Sequence, residues 1–160
     1  MVGVNGDAGG PVEVVEEETI AAPAAAVWRA LVHADQRRRW WSYLDLDPVV
    51  GGRFTERWTG PDGTEMVTAG SVLEVTDRRL LRLAWSDADW PAQTEVEISL
   101  APAPAPGGTV VRIRHSGFER LPDGRRLARE HAAGWRAHLS NLRSAAETLP
   151  TPEEGAGAGT

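Results

Sequence analysis

At 160 residues the chain is about the size of one domain, long enough to bury a core without a disulfide or a metal. It has no cysteine, which excludes a disulfide framework, a thiol nucleophile, a thiolate zinc site and cysteine redox chemistry. The formal charge is −6 and all 17 basic residues are arginines, so a phosphate-tracking nucleic-acid surface is not expected.

Residues 1–10 are glycine-rich and read as a tail; with no basic residue and no apolar run, they do not read as a secretory signal. No later stretch is long and apolar enough to span a bilayer, so a cytoplasmic protein without membrane contact is expected. The folded domain is expected over residues 11–149, with 150–160, which lack an apolar face, as a second tail. Val12 to Ile20 mixes β-branched residues with glutamates and reads as an early or edge strand. Pro23 suits the first turn of a helix carrying Val27, Ala30, Leu31 and Ala34 on one face. A second short helix is expected from Asp35 as N-cap, through Arg37 to Arg39, ending before Trp40 and Trp41.

From there the period is two. Phe54, Glu56 and Trp58 alternate with Arg53, Thr55 and Arg57, and Pro61-Asp62-Gly63 turns the chain into a strand from Met66 to Val75. Leu80 to Ser86 follows. Thr94, Val96, Ile98 and Leu100 alternate with Glu95, Glu97 and Ser99, the pattern of a strand with one solvated face. After the Ala-Pro run, Gly107-Gly108 releases a last strand with Val111, Ile113 and His115 on one face. Arg125 to Thr148 is a long amphipathic helix whose stripe holds Leu127, His131, Gly134, Trp135, His138 and Leu142. The fold class is therefore α+β, a curved antiparallel sheet wrapped on a long C-terminal helix, with two short helices after the first strand. Such a sheet leaves a space at its mouth.

The chain has seven tryptophans beside one tyrosine and two phenylalanines. Trp58, Trp85 and Trp135, on two strands and the closing helix, are candidates to stack on a flat ligand; core packing is the competing role. Phe54, Val96, Ile98 and Ile113 are expected to complete the apolar wall of the cavity. Glu56 is the most suggestive carboxylate, because burial beside indole raises a carboxyl pKa; a register slip of one residue instead places it in solvent with Arg57 inward. His115, His131 and His138 are expected to face the same cavity. The seven-residue spacing of His131 and His138 separates them by about 10 Å along the helix, which disfavours a shared metal ion, and no metal or cofactor is expected. Gly134 costs roughly 1 kcal/mol against alanine inside a helix, so a close approach by a strand or a ligand is expected there.

The order of Pro23, Val27-Trp28 and Leu31, then Trp40, Gly51-Gly52, Gly70, Leu80 with Trp85, and Thr94 resembles the START-like helix-grip superfamily, in the branch similar to the Hsp90-ATPase-activator C-terminal domain. Gly107-Gly108-Thr109, His115 with Gly117-Phe118, and Gly134-Trp135 with Leu139 and Leu142 continue it, so that it spans nearly all of Val12 to Ala146. The resemblance implies the helix-grip fold and a central cavity for a hydrophobic, polycyclic aromatic small molecule, with no catalytic residue required. One subgroup of that superfamily sequesters enediyne antibiotics in the producing cell, and in a self-sacrifice mechanism a pocket glycine is the site of attack. The resemblance leaves open two rivals on the same scaffold: a polyketide aromatase or cyclase, and a co-chaperone-like protein-interaction module. A monomer with a small-molecule partner is expected.

Overall fold

In the computed structural model, which describes residues 4–5 and 10–148, the period-two segments become strands of one antiparallel sheet. The elements in chain order are β1 (Val4–Asn5), β2 (Glu13–Ile20), α1 (Ala24–Val32), α2 (Ala34–Arg37), β3 (Leu44–Leu46), β4 (Arg53–Thr59) and β5 (Glu65–Thr76). They continue with β6 (Leu80–Asp87), β7 (Thr94–Pro102), β8 (Thr109–Ser116), a 3-10 turn (Phe118–Arg120) and α3 (Gly124–Thr148). Across the sheet the order is β1-β2-β8-β7-β6-β5-β4-β3.

Two segments depart from the sequence expectations. Within the stretch read as an N-terminal tail, Val4 and Asn5 pair with Val14 and Glu13 and add a two-residue edge strand. Leu44–Leu46, unassigned by periodicity because it is so short, pairs with Glu56 to Phe54 and forms the opposite edge. The second short helix begins at Ala34 after His33, so Asp35 lies in its first turn instead of capping it. The expected tail over 150–160 lies outside the described residues.

Alternation decides which face of the sheet is dry. Val96 and Ile98 on β7 register with Leu83 and Leu81 on β6 and with His115 and Ile113 on β8, and all six are buried. On the other face charges of opposite sign meet across strands, Arg114 with Glu13 at 2.8 Å and Arg82 with Glu95 at 3.0 Å. Such exposed pairs add about 0–1 kcal/mol each and serve chiefly to fix which face is wet.

The helix supplies the second layer. On α3, Ala128, Ala132, Trp135, Leu139, Leu142 and Ala146 form a buried stripe at helical spacing. Burying a leucine of this stripe contributes roughly 1.5–3 kcal/mol, more than its intrinsic helix preference. Two devices bend the sheet around it. A bulge between Val72 and Glu74 shifts the β5–β6 register, so that Val72 pairs with Leu83 and Val75 with Leu81. At Gly70 a Cβ would fall on the Ala84 carbonyl, and Phe54 packs directly over the bare backbone.

Candidate functional site

Near the start of α3 the sheet and helix diverge, leaving a cavity of about 390 Å³. Its sheet side comes from one register row: Glu56 on β4 faces Thr68 on β5, which faces Asp87 on β6. Trp58 and Met66 form the next row outward and Trp85 lies one row inward. The helix contributes Leu127, Glu130, His131, Gly134, Trp135 and His138, and Tyr43, Asp89 and Trp90 complete the wall.

The polar groups are organised as two carboxyl–imidazole pairs joined by one hydroxyl. Thr68 donates to Asp87 Oδ1 at 2.5 Å, while His131 Nε2 stands 3.9 Å from Asp87 Oδ2. His131 donates its Nδ1–H to the Leu127 carbonyl at 2.9 Å, which orients the ring toward Asp87. On the other side Trp41 Nε1 donates to Glu56 Oε2 at 2.7 Å, and His138 Nε2 lies 4.0 Å from the same oxygen. His138 stacks on Trp41 with ring centroids 4.4 Å apart.

Burial sets the protonation of the second pair. Glu56 is 6 % exposed, and burial pushes its carboxyl up to about 7 against the pull of the Trp41 hydrogen bond. Burial pushes His138 the other way, to about 4. Proton affinity is thus higher on the carboxyl than on the imidazole, so the pair is neutral at mildly acid pH and not an ion pair. Burial also raises Asp87 above the usual carboxylate range, although Thr68 and His131 oppose it. The site therefore holds one carboxyl group, Glu56, able to keep or release a proton near neutrality, beside a second, Asp87, whose proton affinity burial also raises.

His115 has a different role. It is fully buried, and burial, with His131 nearby, keeps it well below the usual imidazole range. Trp135 Nε1 donates to His115 Nδ1 at 3.1 Å, which requires the proton on Nε2. That proton is donated to Thr94 Oγ1 at 2.7 Å, and Thr94 donates onward to the Trp85 carbonyl at 2.8 Å. The relay ties α3 to β8, β7 and β6 beneath the cavity floor and leaves the imidazole no free valence for chemistry.

Of the residues singled out in the sequence, the structure brings Glu56, Trp58, Trp85, His131, Gly134, Trp135 and His138 to the cavity. It places Phe54, Val96, Ile98, Ile113 and His115 in the packed core instead. Phe54 covers Gly70, Ile98 and Ile113 gather with Trp135, Leu139 and Leu142 of α3, and Val96 is buried in register with His115. Gly134 has no atom within 4 Å of where a Cβ would stand, so the space beside it is the cavity and not an approaching strand. Sequence reasoning missed Thr68 and Asp87. Asp87 continues the inward alternation of Leu81, Leu83 and Trp85 by one step, which a strand ended at Ser86 conceals. A second depression of about 590 Å³ lies at the other end of α3, between the Gly107-Gly108 turn, Arg143 and Glu147. It has no aromatic wall, and Arg143 is paired there with Glu18 at 3.2 Å.

Residues 21–147 match the family model described as Activator of Hsp90 ATPase homolog 1-like protein. The chain belongs to this family. Among solved structures, this family member is similar to MLL2253 from Mesorhizobium loti, at 29 % identity and a TM-score of 0.70 over 87 % of this chain and 99 % of that one. It is similar to CalU16 from Micromonospora echinospora, at 21 % identity and a TM-score of 0.70 over 98 % of this chain and 87 % of that one. It also resembles DynU16, a protein in the dynemicin biosynthetic locus, at 19 % identity and a TM-score of 0.70 over 85 % of this chain and 47 % of that one. A search of curated proteins finds no match. The last two similarities establish the helix-grip fold. No described helix is long and apolar enough to cross a membrane.

Proposed function

We propose that the protein binds and sequesters a hydrophobic, aromatic small molecule between the concave face of the sheet and α3. The observation that carries this reading is the 390 Å³ cavity walled by Trp58, Trp85, Trp90 and Trp135, with Tyr43 at its edge. That volume suits a compact polycycle, and indole faces offer it stacking area with little loss of side-chain entropy. The similarity to DynU16, from the dynemicin biosynthetic locus, supports a natural product as the occupant, and self-resistance is the purpose we propose for its sequestration. The relay that immobilises His115 supports binding over turnover, since one of the three histidines is withdrawn from proton transfer.

Titration of the intrinsic tryptophan fluorescence with pyrenylmethanol tests it. Trp58, Trp85 and Trp135 line the cavity, so the expected result is a saturable quench at one equivalent with a raised melting temperature. The absence of any response would overturn the reading and favour a protein partner. Sustained conversion of a polyketide substrate beyond one equivalent would favour the cyclase alternative, with Glu56 as its base.

A further inference from the structure

The small-molecule reading leaves the polar half of the cavity unexplained, and the inference drawn from it rests on that reading. We infer that the bound molecule carries a protonated amine, seated where the carboxyl groups of Glu56 and Asp87 flank Thr68 beneath the tryptophan walls.

The charge of the lining is one-sided. Glu56 and Asp87 form the floor, Asp89 and Glu130 stand at the rim, and among the described residues none that lines the cavity is an arginine, although the chain has 17. A neutral polycycle gains nothing from this set, and an anionic one is repelled by it. An ammonium gains twice, from the carboxylates and from the faces of Trp58, Trp85 and Trp135, whose quadrupoles attract a cation.

Both floor carboxyls are buried, and the hydrogen bonds they accept use one oxygen of each, from Trp41 and from Thr68. Lone pairs remain for an N–H donor. The imidazoles from α3 leave those lone pairs open: His131 spends its Nδ1–H on Leu127 and its Nε2 stays 3.9 Å from Asp87 Oδ2, beyond hydrogen-bonding distance, while burial keeps His138 uncharged at neutral pH. Tyr43, at the edge, is held in its neutral phenol form by burial and by Glu56.

A second observation is independent of the acids. Trp85 lines the cavity at 3 % exposure, and its buried indole N–H has no hydrogen-bond partner among the described residues. The class is therefore an aromatic amine.

Three probes of matched shape separate this inference from the reading beneath it: pyrenylmethylamine, pyrenylmethanol and pyrenecarboxylate, titrated against the tryptophan emission at about pH 7.5. The expected order is amine, alcohol, carboxylate, with roughly tenfold between the first two, about 1.4 kcal/mol. Glu56→Gln and Asp87→Asn, each tested singly, are expected to shrink that ratio. Calorimetry of the unaltered protein in two buffers of different ionisation enthalpy is expected to show proton release on binding the amine and none on binding the alcohol, a readout that survives should a variant fail to fold. Equal affinity for amine and alcohol, or preference for the carboxylate, overturns the amine inference and leaves the pocket standing. Failure of all three probes overturns both.

Discussion

Glu56 and His138 sit 4.0 Å apart, and burial moves their proton affinities in opposite directions, so they impose opposite pH dependences on stability. For Glu56 the folded value of about 7 exceeds the ordinary 4.5. Its contribution is therefore complete below 4.5 and is lost as pH rises to about 7. For His138 the folded value of about 4 lies under the ordinary 6.5, so its contribution is complete above 6.5 and is lost as pH falls to about 4. Glu56→Gln removes the first slope while keeping an acceptor for Trp41. The stability of wild type relative to this variant is expected to fall by roughly 3 kcal/mol between about pH 4 and about pH 8, at 1.36 kcal/mol per unit. Urea melts across that range measure it, and a constant difference would show that Glu56 titrates like a solvated carboxyl. Thr94→Val tests the His115 relay: with the acceptor gone, the buried Nε2–H is stranded, and a loss of about 1–3 kcal/mol is expected in the same melts.

Two glycines show how the elements divide between packing and site. Gly70 on β5 lies against the Ala84 carbonyl and under Phe54, so Gly70→Ala has to displace backbone and is expected to prevent folding or nearly so, seen as loss of the cooperative melt. Gly134 on α3 meets nothing within 4 Å, and Gly134→Ala is expected to stabilise the helix by up to about 1 kcal/mol. Gly134→Leu extends the same side chain into the cavity. It is expected to keep the wild-type melting temperature while losing pyrenylmethanol binding, whereas retained affinity would place the ligand elsewhere. The contrast also marks what the sequence made legible. Alternation revealed β7 and put Phe54, Glu56 and Trp58 on one face while leaving open whether Glu56 or Arg57 turns inward, and helical spacing revealed the Trp135 stripe, because burial imposes a strict period on both. Depth carries no period. Ile98 and Glu56 each occupy inward positions, and only the splay of α3 from the sheet decides that one is core and the other is cavity wall. The Thr68–Asp87 contact depends on the register of β5 with β6, which no local pattern encodes.

At the scale of the molecule, sheet and helices share one core in which Trp41, Trp85 and Trp135 touch one another, with ring centroids 5.2–6.4 Å apart. Trp41 comes from the segment after α2, Trp85 from β6 and Trp135 from α3, so neither layer keeps its apolar face covered if the other leaves. Unfolding is therefore expected to be one cooperative event, with tryptophan emission and far-ultraviolet circular dichroism reporting the same midpoint. The cavity is built from those same elements, so a ligand held there binds only the folded chain. Pyrenylmethanol at about one hundred times its dissociation constant is expected to add about 2.7 kcal/mol, raising both midpoints together by roughly 5–10 °C. Separation of the two midpoints on adding the probe would mean that the helix detaches before the sheet melts. The grip of α3 on the sheet would then be a motion that admits the ligand, and not a fixed property of the fold.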